Sequence, residues 1–418
     1  MMMRMTMEQA SGVTSLLDEL AGYGSTADGG VTRLLYSQSW KDAQSFLAAK
    51  MSAAGLEVRY DRVGNLFGRM EGSRKGQGVV LTGSHIDTVR SGGRYDGAYG
   101  IAASLAAVAF LRSAYGEPRR PLEVVSFCEE EGSRFPLAYW GSGNITGAYS
   151  TGMAQRVVDP QGITLAHAMQ AAGFGREDQP ECLRKDLAAF VEVHVEQGVI
   201  LERTGGRIGV VETIAGQRRY VVTVKGETNH AGTTPMAMRR DAAAGAAEMI
   251  AMLERAANRA GEPLVATVGR MKLMPNIPNV IAGTVEFTLD IRHISETLLT
   301  GFSDAVIGSF HSVAERRGLE LDVHAALQAR PAPMDPVLTG RLEKICSDGG
   351  ISYRRMMSGA GHDGQMFVNC CPTAMLFVPS KGGVSHSPEE YTAAEDLAYG
   401  VVVLAEMLYD LAYEETLT

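Results

Sequence analysis

Residues 79–127 read VVLTGSHIDTVRSGGRYDGAYGIAASLAAVAFLRSAYGEPRRPLEVVSF. Within this stretch, VVLTG (79–83) and LEVVSF (122–127) are short apolar runs that predict buried strands. Between them, IAASLAAVAFLRSAYG (101–116) predicts a helix that ends at Gly116. A helix of this length between two buried strands is typical of a crossover connection, so we expect an α/β fold with a parallel or mixed sheet.

A second pattern occupies residues 214–327, where the predicted elements follow the order strand, helix, strand, strand, helix, strand. This order is the split βαβ arrangement of ferredoxin-like α+β units. Prolines interrupt regular structure in QARPAPMDP (328–336), which we interpret as the return linker. We therefore expect residues 214–327 to be inserted into a larger domain made of residues 1–213 and 328–418.

The composition is that of a folded globular protein and excludes several classes of partner. The 418 residues, 45% of them hydrophobic, suffice for about two to three domains. With 39 basic and 48 acidic residues the net charge is −9, so we expect no nucleic acid and no anionic membrane as partner, because binding to phosphate groups needs a basic face. The longest uncharged, largely apolar run, residues 98–111, is shorter than the about 18 residues of a membrane-spanning helix.

The cysteines and the N-terminus indicate a cytoplasmic protein. Five cysteines are present, none of them in a CxxC pair: Cys128, Cys182, Cys346, Cys370 and Cys371. An odd number without metal-binding spacing predicts neither a disulfide framework nor a thiolate zinc site. The N-terminal MMMRMTMEQ lacks the apolar stretch of a secretion signal.

Concentrated polar residues follow the ends of the predicted strands. SHIDT (84–88) continues the first strand and precedes GGRYDGAYG (92–100). EEEGSRF (129–135) follows the second strand, and HVEQG (194–198) ends a third apolar run. A further cluster, GGVSHSP (382–388), lies near the C-terminus. Because ligands of α/β sheets bind outside the carboxyl ends of the strands, we expect these clusters to form one site.

The donors in these clusters suit a pair of divalent metal ions. The candidate ligands are three imidazoles and two carboxylates: His85, Asp96, Glu131, His194 and His386. Such a set suits Zn²⁺ or Mn²⁺, and Asp96 could bridge both ions. Asp87 lies two residues after His85, where it can fix the imidazole tautomer. Glu130 neighbours a candidate ligand and can take a proton from the reacting water.

Simpler explanations of the same residues remain open at this point. A single histidine is more often a surface or core residue than a metal ligand, and three consecutive glutamates are usually the solvated start of a helix. A strand that runs directly into the three carboxylates of residues 129–131 is costly, however, unless cations or hydrogen-bond donors lie nearby.

Longer motifs give the chain a resemblance to a known family. From GGVTRLLYS (29–37) onward it carries, in family order, GSHIDTV, GGRYDGAYG, EEEGSRFP, HVEQG, GQRRY, NHAGTTPM, RRD, DIRH, SGAGHDGQ and SHSP. Over nearly its whole length the chain resembles the M20 metallopeptidase superfamily, in its amidase/hydantoinase/carbamoylase branch. The resemblance implies a mixed-sheet dinuclear metallohydrolase domain (1–213 and 328–418) and an inserted ferredoxin-like lid and dimerisation domain (214–327).

The resemblance also implies a role for each candidate metal ligand. His85 of SHIDT and His194 of HVEQG match the ligands of one ion. Glu131 and His386 match the ligands of the second ion, and Asp96 of YDGAYG matches the bridge between them. Two divalent ions, Zn²⁺ or Mn²⁺, are therefore the implied cofactors.

Further residues match the family's catalytic and substrate-binding positions. Glu130 matches the general base, and Arg292 of DIRH matches the residue that clamps the substrate carboxylate. Asn279 of NIPNV matches a polar partner of that carboxylate on a neighbouring lid strand, and Gln197 matches a residue close to the ureido group. A guanidinium fork suits a carboxylate because it donates two parallel hydrogen bonds.

Two residues of the inserted unit have special assignments. One is implied to act in a second subunit, and the other has two alternative roles. His230 of NHAGTTP matches a residue that reaches the active site of the other subunit and stabilises the tetrahedral intermediate, which implies a homodimer through the lid. Arg218 of GQRRY matches a weaker carboxylate contact, and an ion pair inside the lid is an equal alternative for it.

Within the branch, GGVTRLLYS, EEEGSRFP with Ser133, AGQRRY and SGAGHDGQ are most similar to enzymes that hydrolyse allantoate. The implied reaction is hydrolysis of a ureido C–N bond of this small ureido acid to ureidoglycine, ammonia and carbon dioxide. N-carbamoyl-L-amino acids and N-carbamoyl-β-alanine are alternative substrates, because each has a ureido group and a carboxylate. A dipeptidase or aminoacylase is less expected, since those enzymes usually have a carboxylate where this chain has His194. A non-catalytic ureide-binding protein is a remote alternative, since all five ligands and Glu130 are present.

Overall fold

The computed structural model describes residues 5–414, and the chain divides into two compact units. Unit 1 contains the segments up to Glu212 and from Pro333 onward, and unit 2 is Thr213–Ala332. Residues 1–4 lie outside the described residues. They belong to the N-terminal segment in which we expect no secretion signal.

The two units are built from α-helices and β-strands that alternate along the chain. The strands are β1 (Glu57–Tyr60), β2 (Leu66–Met70), β3 (Val79–His85), β4 (Leu122–Phe127), β5 (Leu187–Val195), β6 (Ile208–Ile214), β7 (Gly216–Lys225), β8 (Val265–Thr267), β9 (Met271–Met274), β10 (Thr284–His293), β11 (Glu320–Ala329), β12 (Ala332–Pro333), β13 (Tyr353–Ser358) and β14 (Thr373–Val378). The helices are α1 (Met7–Ser11), α2 (Val13–Ala21), α3 (Gln38–Ala53), α4 (Ala98–Tyr115), α5 (Trp140–Thr146), α6 (Leu165–Ala171), α7 (Ile200–Thr204), α8 (Ala242–Ala260), α9 (Glu296–Arg317), α10 (Pro336–Asp348), α11 (Gly364–Phe367) and α12 (Ala394–Ala412). Short 3₁₀ turns lie at Thr151–Gln155, Met236–Met238 and Lys381–Gly383.

The larger sheet has nine strands in the order β1-β2-β4-β3-β5-β14-β6-β12, with β13 also paired to β6. Its centre is parallel, since β3 pairs in parallel with β4 and β5, and β14 with β5. Its flanks are antiparallel, at β1-β2-β4 and at β14-β6. The central strands are buried almost throughout and read as continuous apolar runs, as expected for strands covered on both faces. The predicted α/β fold with a mixed sheet is confirmed.

Helix α4 is the predicted crossover between β3 and β4. It begins after Gly97 and ends at Gly116, whose N–H donates to the carbonyl oxygen of Arg112. Among residues 5–414, α4 is the one helix that is long and apolar enough to span a membrane, and 61% of that segment is buried within the protein. It packs against β3 and α12, so its apolar surface is that of a core helix.

Buried aromatic side chains fix the segment that follows β4. Trp40 Nε1 donates to the carbonyl oxygen of Cys128 at 2.9 Å. The rings of Phe127, Phe190 and Phe367 pack together on the same part of the sheet, and the centroids of the last two are 4.2 Å apart. The acidic residues directly after Cys128 therefore leave the sheet from a rigid base.

Unit 2 is a five-stranded antiparallel sheet with α8 and α9 packed on one face. The strand order is β11-β7-β10-β8, and β9 also pairs with β10. Alternate residues of β7 and β10 point into the core between sheet and helices, as Val222 and Phe287 do. This strict alternation is the period-two pattern that the sequence shows.

Two details of unit 2 differ from the sequence prediction. The third element of the predicted order, a single strand, is divided in the structure into β8 and β9, which pair with different parts of β10. The unit also extends beyond the predicted boundary of residue 327 to Ala332, since β11 continues to Ala329 before the chain returns.

Candidate metal centre and active site

The carboxyl ends of two central strands hold the two buried histidines. His85 is the last residue of β3, and His194 is the last but one of β5. Both are almost fully buried, with 2% and 1% of their surfaces exposed. Because β3 and β5 are parallel neighbours, the imidazoles lie at the same edge of the sheet, with ring centroids 5.8 Å apart.

Asp96 lies at the centre of the candidate site, in the loop between β3 and α4. Its Oδ1 lies 3.4 Å from His85 Nε2 and 3.2 Å from His194 Nε2. Its Oδ2 lies 3.1 Å from His386 Nε2, which in turn lies 3.3 Å from Glu131 Oε1. Each oxygen of this one carboxylate therefore faces a separate group of donors, and within each group the donor atoms lie within 4.8 Å of one another.

Hydrogen bonds turn the Nε2 atoms of both buried imidazoles toward Asp96. His85 Nδ1 lies 3.1 Å from the carbonyl oxygen of Asp87, and His194 Nδ1 lies 2.9 Å from that of Val195. A carbonyl can only accept, so each Nδ1 carries the proton and leaves a lone pair on Nε2. The main-chain N–H of Gly97 donates to His194 Nε2 at 3.0 Å, in agreement with this tautomer. An Nε2 lone pair is what a metal ion binds.

Consecutive acids after β4 lie beside the buried carboxylate of Asp87. Asp87 Oδ1 accepts the main-chain N–H of Glu130 at 2.9 Å, and Oδ2 accepts that of Glu131 at 3.2 Å. Burial and the neighbouring Glu131 carboxyl raise the pKa of Glu130 well above its usual value. Burial and Asp96 raise the pKa of Glu131 to about 7. Cations held among these carboxylates would favour their ionised forms.

The pKa of Asp96 is shifted the other way. Burial alone would raise it, but the three imidazoles close to it, those of His194, His386 and His85, outweigh burial and hold the pKa of Asp96 well below its usual value. Asp96 is therefore the carboxylate of the cluster that ionises most readily, which suits a ligand shared by two positive ions.

Two residues of the site have a left-handed backbone although neither is glycine. The φ angles are +57° for Gln197 and +54° for His386. Such conformations cost about 1–3 kcal/mol and are found mainly where a site requires them. Gln197 Nε2 donates to Asp96 Oδ2 at 2.9 Å and to Ser385 Oγ at 3.2 Å. Its Oε1 is buried and has no hydrogen-bond partner among the described residues.

Gly97 is required by its contact with the first histidine. Its φ is +64°, and a Cβ atom there would lie 2.4 Å from His85 Cε1 and 2.5 Å from the His85 carbonyl oxygen. Any side chain at this position would therefore displace His85 or the loop that holds Asp96.

Several buried groups of the site were not singled out by the sequence analysis. Glu192 lies two residues before His194 on the same face of β5, and accepts hydrogen bonds from Ser84 Oγ at 2.8 Å and from the Gly364 N–H at 2.9 Å. The i, i+2 spacing within FVEVHV is a signal that points to it. Glu129, the first of the three consecutive glutamates, is only 1% exposed, so this run is not the solvated helix start that such a run usually forms.

The Gly-rich loop after β13 adds a neutral histidine to the site. His362 packs edge-on against the His194 ring with centroids 4.6 Å apart, and its Nε2 lies 3.0 Å from Ser358 Oγ. Burial and the nearby His194 lower the pKa of His362 well below its usual value. The adjacent Asp363 accepts a hydrogen bond from Ser142 Oγ at 2.5 Å.

In unit 2, two of the predicted substrate residues lie on neighbouring exposed segments. His230 and Val280 form an isolated antiparallel bridge, and the main-chain N–H of Ala231 donates to the carbonyl oxygen of Asn279 at 3.0 Å. The side chains of His230 and Asn279 are both exposed in the single chain.

The two arginines predicted to contact a carboxylate lie on opposite faces of the sheet in unit 2. Arg292 shares the open face with Asp290, to which its Nε donates at 2.9 Å. Arg218 lies on the helix-covered face, 7% exposed, and forms an ion pair with Glu296. Its Nη1 also donates to the carbonyl oxygen of Ala329 at 2.9 Å. Arg218 thus forms the ion pair inside the unit that was its alternative assignment. It does not lie on the same sheet face as Arg292.

Asn279 and Arg292 are also far apart within one chain. β10 begins at Thr284, after Asn279, and Arg292 is its last residue but one. At about 3.3 Å per residue, Thr284 and Arg292 are separated by about 26 Å. The bridge between His230 and Val280 carries Asn279 still farther from Arg292. Within a single chain these two side chains therefore do not meet on one small carboxylate.

The chain is similar to characterised enzymes over nearly its whole length. The model of peptidase family M20/M25/M40 matches residues 81–410. An allantoate amidohydrolase of Bacillus subtilis is 46% identical over 96% of this chain and 97% of its own. An allantoate amidohydrolase of Escherichia coli is 43% identical over 96% of this chain and 98% of its own. An N-carbamoyl-L-amino acid amidohydrolase of Geobacillus stearothermophilus is 38% identical over 96% and 98%.

Solved structures agree with these matches. An amidase of the hydantoinase/carbamoylase family from Burkholderia multivorans superimposes with a TM-score of 0.92 and 34% sequence identity, and covers 99% of each chain. The chemistry of the donor set, three imidazoles and the carboxylates of Asp96 and Glu131, fits divalent metal ions.

Proposed function

The chain belongs to peptidase family M20/M25/M40, and on this basis we propose that it hydrolyses a ureido C–N bond of allantoate with two divalent metal ions, Zn²⁺ or Mn²⁺. Hydrolysis of this bond leaves a carbamate, whose decomposition breaks the second C–N bond, so that the final products are ureidoglycine, ammonia and carbon dioxide. The observation that carries the proposal is the arrangement around Asp96, whose two oxygens face two separate groups of donors.

The residues of unit 1 divide between the two metal positions. His85, Asp96 and His194 would hold the first ion, and Asp96, Glu131 and His386 the second. Two divalent ions at such a site polarise a carbonyl and make water nucleophilic near neutral pH. Asp87 fixes the orientation of His85 and the main chain of the acidic segment at the same time.

Glu130 is the proposed general base. Its backbone is held by Asp87, and its carboxylate is part of the same buried cluster as Glu131 and His85. It takes the proton of the attacking water and passes it to the leaving nitrogen of the ureido group. This transfer makes the nitrogen a neutral leaving group, so that the C–N bond can break.

Gln197 and Arg292 are proposed to recognise the two polar ends of the substrate. The amide N–H groups of Gln197 donate to Asp96 and Ser385. Its Oε1 is therefore available to accept a hydrogen bond from a ureido N–H. Arg292 lies on an open sheet face and offers a fork to the carboxylate, in exchange for part of its bonding to Asp290. Arg218 is left out of this proposal because its guanidinium is engaged on the other face.

His230 and Asn279 are proposed to serve the active site of a second copy in a homodimer. They are exposed neighbours in unit 2. Within the same chain they lie about the length of β10 away from Arg292. His230 would stabilise the negative oxygen of the tetrahedral intermediate, with Asn279 beside it.

A carbamoyl amino acid is the second candidate substrate. It offers the same ureido group and carboxylate, and a relative with that activity is 38% identical to the chain. Allantoate is favoured because two relatives named for it are 46% and 43% identical.

The proposal is tested by ammonia release from allantoate before and after metal removal. The metal-loaded protein is expected to release ammonia, the chelated protein to release none, and readdition of Mn²⁺ or Zn²⁺ to restore the rate. Full turnover after exhaustive removal of metal would contradict the proposed chemistry.

A further inference from the structure

Glu390 is a buried carboxylate that joins two loops of unit 1. It lies between the loop of His386 and helix α12, and only 5% of its surface is exposed. Its Oε2 accepts the main-chain N–H groups of Tyr95 at 2.9 Å and of Asp96 at 3.2 Å. Its Oε1 lies 3.2 Å from the hydroxyl of Ser385, which donates to it.

The loops that Glu390 joins carry two of the donors around the second metal position. His85 and His194 belong to strands, so the ladder of the sheet fixes them. Asp96 and His386 belong to irregular segments, and His386 has in addition an unfavourable φ of +54°. Their relative position therefore depends on contacts between the loops.

Glu390 makes those contacts with the main chain of one loop and with the side chain next to His386 in the other. The hydroxyl of Ser385 also lies 3.2 Å from Asp96 Oδ2, so Glu390 orders the partner of the bridging carboxylate as well as its backbone. Gly93 makes room for this arrangement, since a Cβ atom there would lie 1.9 Å from Glu390 Oε2.

We propose that Glu390 is a positioning residue that sets Asp96 and His386 at the distance needed for the second metal position, and that the first position, whose two histidines are held by the sheet, depends on it much less. The inference rests on the proposed function only in taking Asp96, Glu131 and His386 as metal ligands. Residues that orient metal ligands typically change metal affinity about 10–100-fold when removed.

The test is a count of bound ions in Glu390→Ala. Chelated protein is titrated with Zn²⁺ in equilibrium dialysis, and the ions per chain are measured by elemental analysis. The wild-type chain is expected to bind two ions, whereas Glu390→Ala is expected to bind the first with little change in affinity and the second about 10–100-fold more weakly.

Three further variants separate positioning from a general structural role. Glu389→Ala is the matched control, because Glu389 is an exposed neighbour in the same loop, and it should bind two ions as the wild type does. Glu390→Gln keeps one acceptor oxygen and should restore most of the second ion's affinity. The double variant Glu390→Ala/His386→Ala should weaken the second ion by less than the sum of the two single effects, since both residues act on one position.

Two results would overturn the inference. One is a second ion bound by Glu390→Ala as tightly as by the wild type, and the other is equal weakening of both ions. If Glu390→Ala does not fold, Ser385→Ala decides the matter, because it removes the link between Glu390 and the loop of His386 and should also weaken the second ion more than the first. A wild-type chain that binds no ions would instead disprove the proposed metal chemistry.

Discussion

The carboxylate of Asp87 accepts the main-chain N–H of Glu130 at 2.9 Å. The same oxygen lies 3.3 Å from His85 Nδ1, and the other oxygen accepts the N–H of Glu131 at 3.2 Å. One buried side chain thus connects the carboxyl end of β3 to that of β4. The distance between a proposed ligand of the first ion and a proposed ligand of the second depends on it.

Asp87→Asn should therefore impair both metal binding and turnover. In the wild type both carboxylate oxygens of Asp87 accept main-chain N–H groups. Asparagine has one oxygen and one NH₂ group in their place, so one main-chain N–H would face another donor and remain buried without an acceptor. We expect metal affinity or kcat/KM to fall about 10–100-fold. Asp178→Asn is the control, because Asp178 is exposed and far in sequence from the site, and it should change neither quantity. An Asp87→Asn variant with wild-type metal content and turnover would contradict the assigned role.

Gly97→Ala should release the first ion. The added Cβ would lie 2.4 Å from the His85 ring, which must then move away from Asp96. Gly162→Ala is a matched control, because Gly162 also has a positive φ, +78°, but no atom within 4 Å of an added Cβ. Both variants should lose about 1 kcal/mol of stability from the left-handed backbone. Only Gly97→Ala should lose metal in elemental analysis, and equal metal contents would show that the close contact does not matter.

Glu130→Gln should bind metal and substrate but turn over slowly. The amide keeps the size of the side chain and removes its ability to accept a proton. We expect kcat to fall about 10²–10⁴-fold, with two ions still bound. Steady-state kinetics and elemental analysis on the same preparation check this, and a kcat close to that of the wild type would assign the proton transfer to another group.

Arg292→Lys and Arg218→Lys should differ in their effects on substrate binding. A lysine at position 292 cannot form the two parallel hydrogen bonds of a fork, so KM for a ureido acid should rise at least about tenfold. Arg218 is buried against Glu296 on the opposite face, so Arg218→Lys should lower thermal stability and leave KM nearly unchanged. The reverse pattern would move the carboxylate contact from Arg292 to Arg218.

A mixed dimer tests the proposed role of His230. His230→Ala and Glu130→Gln homodimers should each be nearly inactive. After unfolding and joint reassembly, mixed dimers with one intact shared site should recover about a quarter of the wild-type rate, because about half of the dimers are mixed and each has one of two sites intact. No recovery on mixing would place His230 and Glu130 in the site of the same chain.

The parts of the site that lie on strands could be predicted from the sequence, for a physical reason. A buried parallel strand reads as an apolar run, and the polar residues at its end must lie at the edge where α/β sheets bind ligands. His85 and His194 were found in this way. The sheet face of Arg218 could also be predicted. Arg218 alternates in step with the apolar residues Tyr220 and Val222 of its strand, whereas Arg292 alternates in step with the polar Asp290.

The rest of the site depends on contacts between segments that are distant in sequence. Glu390 contacts Tyr95 and Asp96 across almost three hundred residues, and no local pattern marks it. The burial of Glu129 follows from tertiary packing around the end of β4, which a run of three glutamates does not indicate. The separation of Asn279 from Arg292 follows from the length of β10 and its register with β7.

The central claim is best tested by ammonia release from the Mn²⁺-loaded protein, with allantoate, N-carbamoyl-L-amino acids and N-carbamoyl-β-alanine assayed side by side. The account predicts a kcat/KM for allantoate at least about tenfold above the others, which corresponds to about 1.4 kcal/mol of preferential transition-state binding. A higher kcat/KM for any carbamoyl amino acid would contradict allantoate as the substrate.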